Sequence, residues 1–313
     1  MSIDFNTALA AYLGRELGST VAIHSAKRVA MGQSRAMYIV EAERGAKRER
    51  LVVRVEQHGL LGTESGPEVG IMRALHGAGF PVAEVVAYEP TGDVLGQPFF
   101  VMTFVDGAST PAEETIDEYL HWLVRLHELD LDTLDLGFLD RPAPGTASAL
   151  AQVDRWESTY RSGLLGEPSP LVEEAIVWLR HNAPSTERPC LVHADPGPGN
   201  YMHTDGRITA LVDWEFTHIG DEYDDWAYLI AMRGAASMSA EAWVDRIRSV
   251  TGIDLDLERL RYWKAIKFLM GAAIDQTAMR LYLQREETGP NLLAIGTGIH
   301  LMAVRSLYDA VLA

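Results

Sequence analysis

Residues 191–215, LVHADPGPGNYMHTDGRITALVDWE, decide how this chain folds. The apolar runs Cys190–Val192 and Ile208–Val212 read as two short strands. Between them, His193, Asp195 and Asn200 sit in a stretch too rich in Gly and Pro to be helical. Asp213 follows the second run directly. If the two strands are neighbours joined by the turn HTDGR, then Asp195, Asn200 and Asp213 fall at one end of a hairpin. Asn200 and Asp213 then offer hard oxygen ligands, which suit Mg²⁺, an ion that completes its shell with water and substrate phosphate. Asp195 is left to accept a hydrogen bond from an incoming hydroxyl.

Upstream, strand signals dominate. Ala36–Glu43 and Arg50–Glu56 are β-branched or aromatic runs separated by the charged turn RGAKRE, a hairpin pattern. EVGIMRALHGAG has helical spacing, with Val69, Met72 and Leu75 on one face and a Gly stop. AEVVAYE and PFFVMTFV are two further strands around the turn PTGD. Asp106–Pro111, DGASTP, reads as a linker, and beyond it the pattern turns helical: EETIDEYLHWLVRLHELD, SPLVEEAIVWLRHNA, EAWVDRIRSV, LERLRYWKAIKFLMGAAIDQTAMRLYL and NLLAIGTGIHLMAVRSLYDAVL. The expectation is an α+β chain with a small sheet-rich N-terminal lobe over residues 1–105 and a larger, mainly helical lobe over residues 106–313, with a ligand cleft between them.

Composition narrows the partners. The 313 residues carry a formal net charge of −17, with 47% hydrophobic content, as in a globular protein with a substantial core. An acidic surface repels nucleic acid phosphates and anionic lipid, so neither is expected as a partner. It would attract a cationic small molecule, although solubility alone accounts for such a balance. The single cysteine, Cys190, excludes an internal disulfide and a Cys-rich metal site, and reads as a small core residue. The N-terminus reads as an amphipathic helix ending near Gly18 rather than a leader, and no apolar run has the length to cross a bilayer, so a cytoplasmic location is expected.

His193, Asp195 and Asn200 have the spacing H-x-D-x-x-x-x-N, with Asp213 thirteen residues further on. That arrangement resembles the kinase catalytic loop and the metal-binding Asp that follows it. VHADPGPGN…LVDWE is more closely similar to the aminoglycoside phosphotransferase and choline kinase-like family, whose loop reads HGDLHPGN and whose strand end reads IDWE. The resemblance extends over nearly the whole chain: GQSRAMYIV to the nucleotide-covering hairpin, PEVGIMRALHGAGFPVAEVV to the helix after it, GQPFFVMTFVDG to the hinge, LVRLHELD to the following helix and GDEYDDWAYL to the family's GDPAYDLA. Within the family it looks most like the acyl-CoA dehydrogenase-associated kinases, whose first loop reads GGQSN.

The resemblance implies a bilobal protein kinase-like fold that binds ATP, with GTP as the alternative nucleotide, and Mg²⁺. It implies that Gly32, Gln33 and Ser34 cover the phosphates, that Arg54 stands in for the usual lysine with Glu68 as its ion-pair partner, and that the backbones of Thr103 and Val105 hold the base with Met102 behind it. Asp195 is then the catalytic acid–base residue, and Asn200 and Asp213 the metal ligands. His193 is expected to shape the loop, Asp225 to brace a loop or cap a helix, and His127 to be a core histidine. Pro196 and Gly197 depart from the family's Leu and His.

The implied activity is phosphorylation of a small-molecule hydroxyl, aminoglycoside or other metabolite. No activation segment of the protein-kinase type follows Asp213, which fits a small acceptor. The competing expectations are a catalytically silent nucleotide-binding regulator and a metal-dependent hydrolase built on His193, Asp195, Asp213 and His218. Against the hydrolase, the sequence has no H-x-H and no H-E-x-x-H pair. Oligomeric state is not legible.

Overall fold

The structure, a computed structural model, describes residues 4–29, 35–56, 64–286 and 290–312. The chain divides into two compact units, and the expected α+β class holds. The first unit comprises residues 1–108 together with 134–136 and 201–215. The second comprises 109–133, 137–200 and 216–313.

The first unit opens with α1 (Phe5–Glu16), started by Asp4, whose carboxylate accepts from the Thr7 N–H. Five strands follow: β1 (Val21–Val29), β2 (Arg35–Arg44), β3 (Lys47–Glu56), β4 (Val85–Glu89) and β5 (Phe99–Thr103), with α2 (Ser65–Gly77) between β3 and β4. They form an antiparallel sheet in the order β1-β2-β3-β5-β4. The β2–β3 hairpin is the expected one, while β1 escaped the sequence reading because VAIHSAKRV mixes polar residues into both faces.

Side chains alternate across β3, so Leu51 and Val53 enter a core with Leu9, Tyr12 and Leu13 of α1 and with Val40, Phe99 and Val101. Each fully buried aliphatic side chain contributes about 1.5–3 kcal/mol. The same alternation puts Arg54 on the opposite face from Val53.

In the second unit, α3 (Ile116–His127) buries Ile116, Tyr119, Leu120, Leu123 and Leu126, the i, i+3, i+4, i+7 stripe its sequence shows. Next come α4 (Ala147–Gly163), α5 (Pro170–His181) and β6 (Cys190–Val192). The hairpin β7 (Tyr201–Thr204) and β8 (Arg207–Leu211) belongs to the first unit. The second unit resumes with β9 (His218–Gly220), α6 (Tyr223–Tyr228), a π-helical turn Leu229–Arg233, α7 (Ala240–Thr251), α8 (Leu257–Leu283), α9 (Pro290–Ala294) and α10 (His300–Leu312). α8 is buried on nearly every side, with α4, α5, α6 and α10 packed on it. Its 27 residues begin and end where the sequence pattern does.

One expectation is overturned. The strands at 190–192 and 208–212 are not hairpin partners. β6 pairs with β9, and β8 pairs with β7, so HTDGR turns β7 into β8. Asp205 and Gly206 sit at φ 49° and 72°, the left-handed pair that a tight two-residue hairpin requires. β7 and β9 are four and three residues long, too short for a periodic signal.

Candidate active site

In the first unit the site is built on Arg54, Glu68 and Asp213. Arg54 is buried on β3, and its Nη1 donates to Glu68 Oε1 at 2.7 Å. Glu68 lies in the first turn of α2, a helix held at its start by Glu56, which accepts from the Ser65 N–H at 2.5 Å. Arg54 Nη2 reaches Asp213 Oδ1 at 3.4 Å. Arg54 Nε is buried with no hydrogen-bond partner among the described residues. A buried guanidinium N–H without an acceptor is costly, and a phosphate oxygen is an acceptor that would satisfy it. Asp213 itself has a positive φ of 72° just past β8, and the Trp214 indole N–H donates to Leu211 O at 3.2 Å, holding the bend. The Asp213 side chain remains about a third exposed. Gly32, Gln33 and Ser34, the expected phosphate-covering residues, lie outside the described residues.

On the strand expected to face the base, the Thr103 N–H is already taken by Glu84 O at 2.9 Å. The Glu84 N–H goes to the Thr103 hydroxyl at 3.0 Å, not to the Thr103 carbonyl. Thr103 therefore offers a backbone acceptor and no backbone donor, a restriction the sequence did not reveal. Met102 lies opposite Val52 in the ladder.

The second unit holds the loop after β6. Ala194 adopts φ 70°, a left-handed conformation that costs a non-glycine residue about 1–2 kcal/mol. It sits where the resembling family writes Gly. Asp225, wholly buried on α6, holds the loop there: its Oδ1 accepts from the Ala194 N–H at 2.7 Å and its Oδ2 from the His193 N–H at 3.0 Å. His127 Nε2 lies 2.8 Å from Asp225 Oδ2, so His127 is not the plain core histidine expected from its helix face. Burial alone would raise the Asp225 carboxyl pKa, but the His127 hydrogen bond, the His127 and His193 charges and the His193 N–H together hold it below the usual carboxylate range.

Asp195 and Asn200 are locked to each other. Asn200 Nδ2 donates to Asp195 O at 2.8 Å and to Asp195 Oδ2 at 2.7 Å. Both groups are acceptors, so the amide nitrogen must face them, and both of its hydrogens are spent. What Asn200 presents elsewhere is its oxygen, the atom a hard cation takes. The Asp195 N–H donates to His193 Nδ1 at 3.3 Å, which gives His193 its loop-shaping part. A residue missed in the sequence completes the arrangement: Arg233 Nε donates to Asp195 Oδ1 at 2.8 Å and its Nη2 to Asp195 Oδ2 at 2.5 Å.

Within the first unit the structure thus brings Arg54, Glu68 and Asp213 together, and within the second Asp195 and Asn200. Of the two histidines of the hydrolase alternative, each has its Nδ1 engaged within the protein, while His218 Nε2 is buried with no hydrogen-bond partner among the described residues. His193 Nδ1 accepts from Asp195, and His218 Nδ1 lies 3.1 Å from Phe216 O. Burial, the largest effect on His218, pulls its imidazole below the usual value. Among the described residues no group of three or more His, Cys, Asp or Glu is placed to hold a metal ion. No helix among them is long and apolar enough to cross a membrane.

An antiparallel sheet carrying a buried Arg–Glu pair, followed by helices carrying an Asp–Asn loop, defines a phosphotransferase of the kinase-like class. The model of the phosphotransferase enzyme family matches residues 25–268, and the chain belongs to that family. Among curated proteins it is similar to acyl-CoA dehydrogenase family member 11 of Rattus norvegicus, 27% identical over 250 residues that cover 69% of this chain and 31% of that protein. It is also similar to acyl-CoA dehydrogenase family member 10 of Mus musculus, 30% identical over 213 residues, 63% of this chain and 19% of that protein. The chain thus spans a third or less of the length of these two relatives. Among solved structures, a putative aminoglycoside phosphotransferase from Ralstonia eutropha superposes with a TM-score of 0.72 at 22% identity, covering 97% of both chains. The gentamicin complex of APH(2″)-IIa gives a TM-score of 0.64 at 15% identity, covering 98% of this chain and 97% of that one. These likenesses establish the fold.

Proposed function

We propose that the protein transfers the γ-phosphoryl group of ATP, with Mg²⁺, to a hydroxyl of a small molecule. The observation that carries this reading is the Asp195–Asn200 lock, which fixes a carboxylate and spends both hydrogens of the Asn200 nitrogen, leaving its oxygen as the atom it can offer a cation. In this reading Asn200 and Asp213 are the oxygen ligands of Mg²⁺, and the ion supplies charge neutralisation on the phosphate oxygens. Arg54 holds phosphate oxygens through its Nε–H while Glu68 fixes its plane. Ser34 and the backbone of Gly32 and Gln33 belong to the same phosphate cradle by resemblance.

Asp195 orients the acceptor hydroxyl. As the acceptor oxygen bonds to the γ-phosphorus, the bond to ADP breaks and the hydroxyl proton passes to Asp195. A carboxylate is too weak a base to ionise an alcohol beforehand, so the proton moves late. The transition state is loose, and alignment with charge neutralisation supplies most of the acceleration.

The Thr103 carbonyl and the Val105 N–H match adenine, whose exocyclic amine donates and whose adjacent ring nitrogen accepts. Guanine presents the reverse pattern, so ATP is favoured over GTP by the consumed Thr103 N–H. Aminoglycosides are the ligands of the structural neighbours APH(2″)-IIa, with gentamicin, and APH(4)-Ia, with ADP and hygromycin B. Here the acceptor is proposed only as a hydroxylated small molecule.

The test is ADP release from Mg-ATP across a panel of hydroxylated compounds, aminoglycosides included, with wild type and Asp195→Ala. Acceptor-dependent ADP formation that the variant loses, with ATP binding kept, supports the reading. Undiminished turnover by Asp195→Ala refutes it, and ATP binding without consumption on any acceptor leaves the silent regulator as the better description.

A further inference from the structure

We propose that Arg233 is a positioning residue for the transfer: it clamps the Asp195 carboxylate so that the acceptor hydroxyl is received by Oδ1 alone, from one direction. This rests on the phosphotransferase reading and adds to it the residue that aims its base.

A carboxylate offers about four acceptor places, two on each oxygen. Asp195 Oδ2 takes the Asn200 Nδ2–H at 2.7 Å and the Arg233 Nη2–H at 2.5 Å, and is full. Oδ1 takes the Arg233 Nε–H at 2.8 Å, which leaves one place. Asn200 alone, bonded to one oxygen, would let the carboxylate turn about its Cβ–Cγ bond. A fork that grips both oxygens stops that rotation. The pair is neutral as a whole, so what Arg233 contributes is direction rather than net charge.

The loop is shaped to hold this fork. Gly197 has φ 134°, and a Cβ there would lie 2.7 Å from Arg233 Cβ and 3.2 Å from Leu229 Cδ1. The resembling loop has His at this place, and a side chain here would occupy the path of the Arg233 stem. A Cβ on Gly199 would lie 3.3 Å from Arg233 Nη1. The Gly197 N–H donates to the Tyr119 hydroxyl at 2.7 Å, and the Gly197 carbonyl accepts from the Asn200 N–H at 3.0 Å. The backbone between Asp195 and Asn200 is therefore fixed as well.

The arginine is anchored from its own side. It ends the π-helical turn Leu229–Arg233, closed by the Gly234 N–H to Leu229 O at 2.7 Å. The indole N–H of buried Trp243 donates to Gly234 O at 3.0 Å, and a Cβ on Gly234 would lie 2.6 Å from Trp243 Nε1. Only glycine fits there, and it pins the backbone that carries the guanidinium. Single π turns inside helices occur frequently at functional sites.

The clamp bears on the chemistry because the proton moves late. The acceptor hydroxyl has to point at one oxygen while its own oxygen bonds to the γ-phosphorus and the bond to ADP breaks, and its proton ends on Oδ1. Water is small and reorients freely, so hydrolysis of ATP depends on the clamp less than transfer to a larger acceptor does. Arg233 thus favours transfer over hydrolysis.

The experiment uses Mg-ATP and the compound of the hydroxyl panel that wild type turns over fastest, and measures phosphorylated acceptor and free phosphate separately. Arg233→Met should lower kcat for transfer by about 100-fold, the cost of a misplacement of about 1 Å, with both KM values and the rate of phosphate release within about threefold of wild type. Arg233→Lys keeps the charge but not the fork, and should recover about tenfold of that loss. Gly197→Ala, with the arginine still present, should shift product from phosphorylated acceptor to free phosphate as Arg233→Met does. In an Asp195→Ala background Arg233→Met should cost nothing further, because it acts through that carboxylate. Urea midpoints show that each variant is folded. Transfer and phosphate release lowered by the same factor would overturn the proposal, as would an unchanged kcat, a loss confined to KM, or a further loss in the Asp195→Ala background. Absence of ADP on every compound, or undiminished turnover by Asp195→Ala, overturns the phosphotransferase reading and the clamp with it.

Discussion

Replacing Asp225 with Asn tests whether the loop after β6 is held from behind. The carboxylate accepts three hydrogen bonds: Oδ2 lies 2.8 Å from His127 Nε2 and takes the His193 N–H at 3.0 Å, and Oδ1 takes the Ala194 N–H at 2.7 Å. Asparagine has one oxygen. Placed at the Oδ2 position it keeps two bonds without their charge, and its NH₂ then faces the Ala194 N–H, donor against donor. Bonds to a charged group are each worth about 1.5–3 kcal/mol net, against about 1 for a neutral one. Two weakened bonds, one lost and one buried repulsion add to a destabilisation of about 3–5 kcal/mol.

The same change frees Ala194 from its left-handed conformation, and Asp195 follows in the chain. A displacement of the order of 1 Å there costs about 100-fold in kcat. Urea unfolding followed by tryptophan fluorescence suits the measurement, because Trp226 packs edge-on against the His127 ring at 5.4 Å. The pH dependence gives a separate check. The Asp225 carboxyl titrates below its unfolded value, so its contribution to stability is complete above about pH 4–5 and is lost as pH falls through the folded value. Asp225→Asn should lack that part of the acid limb. An unchanged urea midpoint, or a kcat within threefold of wild type, refutes the account.

Ala194→Gly should stabilise the protein by about 1 kcal/mol, since glycine adopts the observed φ of 70° without steric cost; a lower urea midpoint contradicts this. Glu68→Gln should destabilise by about 3 kcal/mol and raise KM for ATP several-fold, because it leaves the buried Arg54 guanidinium short of its counter-charge. Nucleotide titration and urea unfolding read the two effects. Asp275 is buried on α8, which raises its carboxyl to about 7. The folded state therefore binds the proton more tightly, and wild type loses up to about 1.4 kcal/mol per pH unit between the ordinary carboxyl value and about 7. His300 Nδ1 lies 3.8 Å from Asp275 Oδ2, and burial lowers its own pKa, so it stays neutral over the upper part of that window. Asp275→Asn should be more stable than wild type at pH 8 and close to it only near pH 4, as urea midpoints at the two values would show.

Much of the architecture was legible without coordinates. The β2–β3 hairpin, α3 and the full extent of α8 appear because their periodicity is local and their burial one-sided or total. What escaped was short or mixed in pattern: β1, β7, β9, α4 and the α6–π segment. At the site, the spacing of His193, Asp195 and Asn200 is a property of one loop, and the sequence alone displays it.

The pairings that give those residues their geometry are not local. His127 meets Asp225 across 98 positions, Arg54 meets Asp213 across 159, and Arg233 meets Asp195 across 38. A sequence of charged and polar residues records which groups exist but not which pair, because Coulomb attraction and hydrogen bonding act through space once the core has packed. The sequence by itself therefore determined the elements and the chemistry available in the loop. Only the tertiary structure decided that a buried aspartate pins that loop, and that an arginine from a π turn pairs with Asp195 in it.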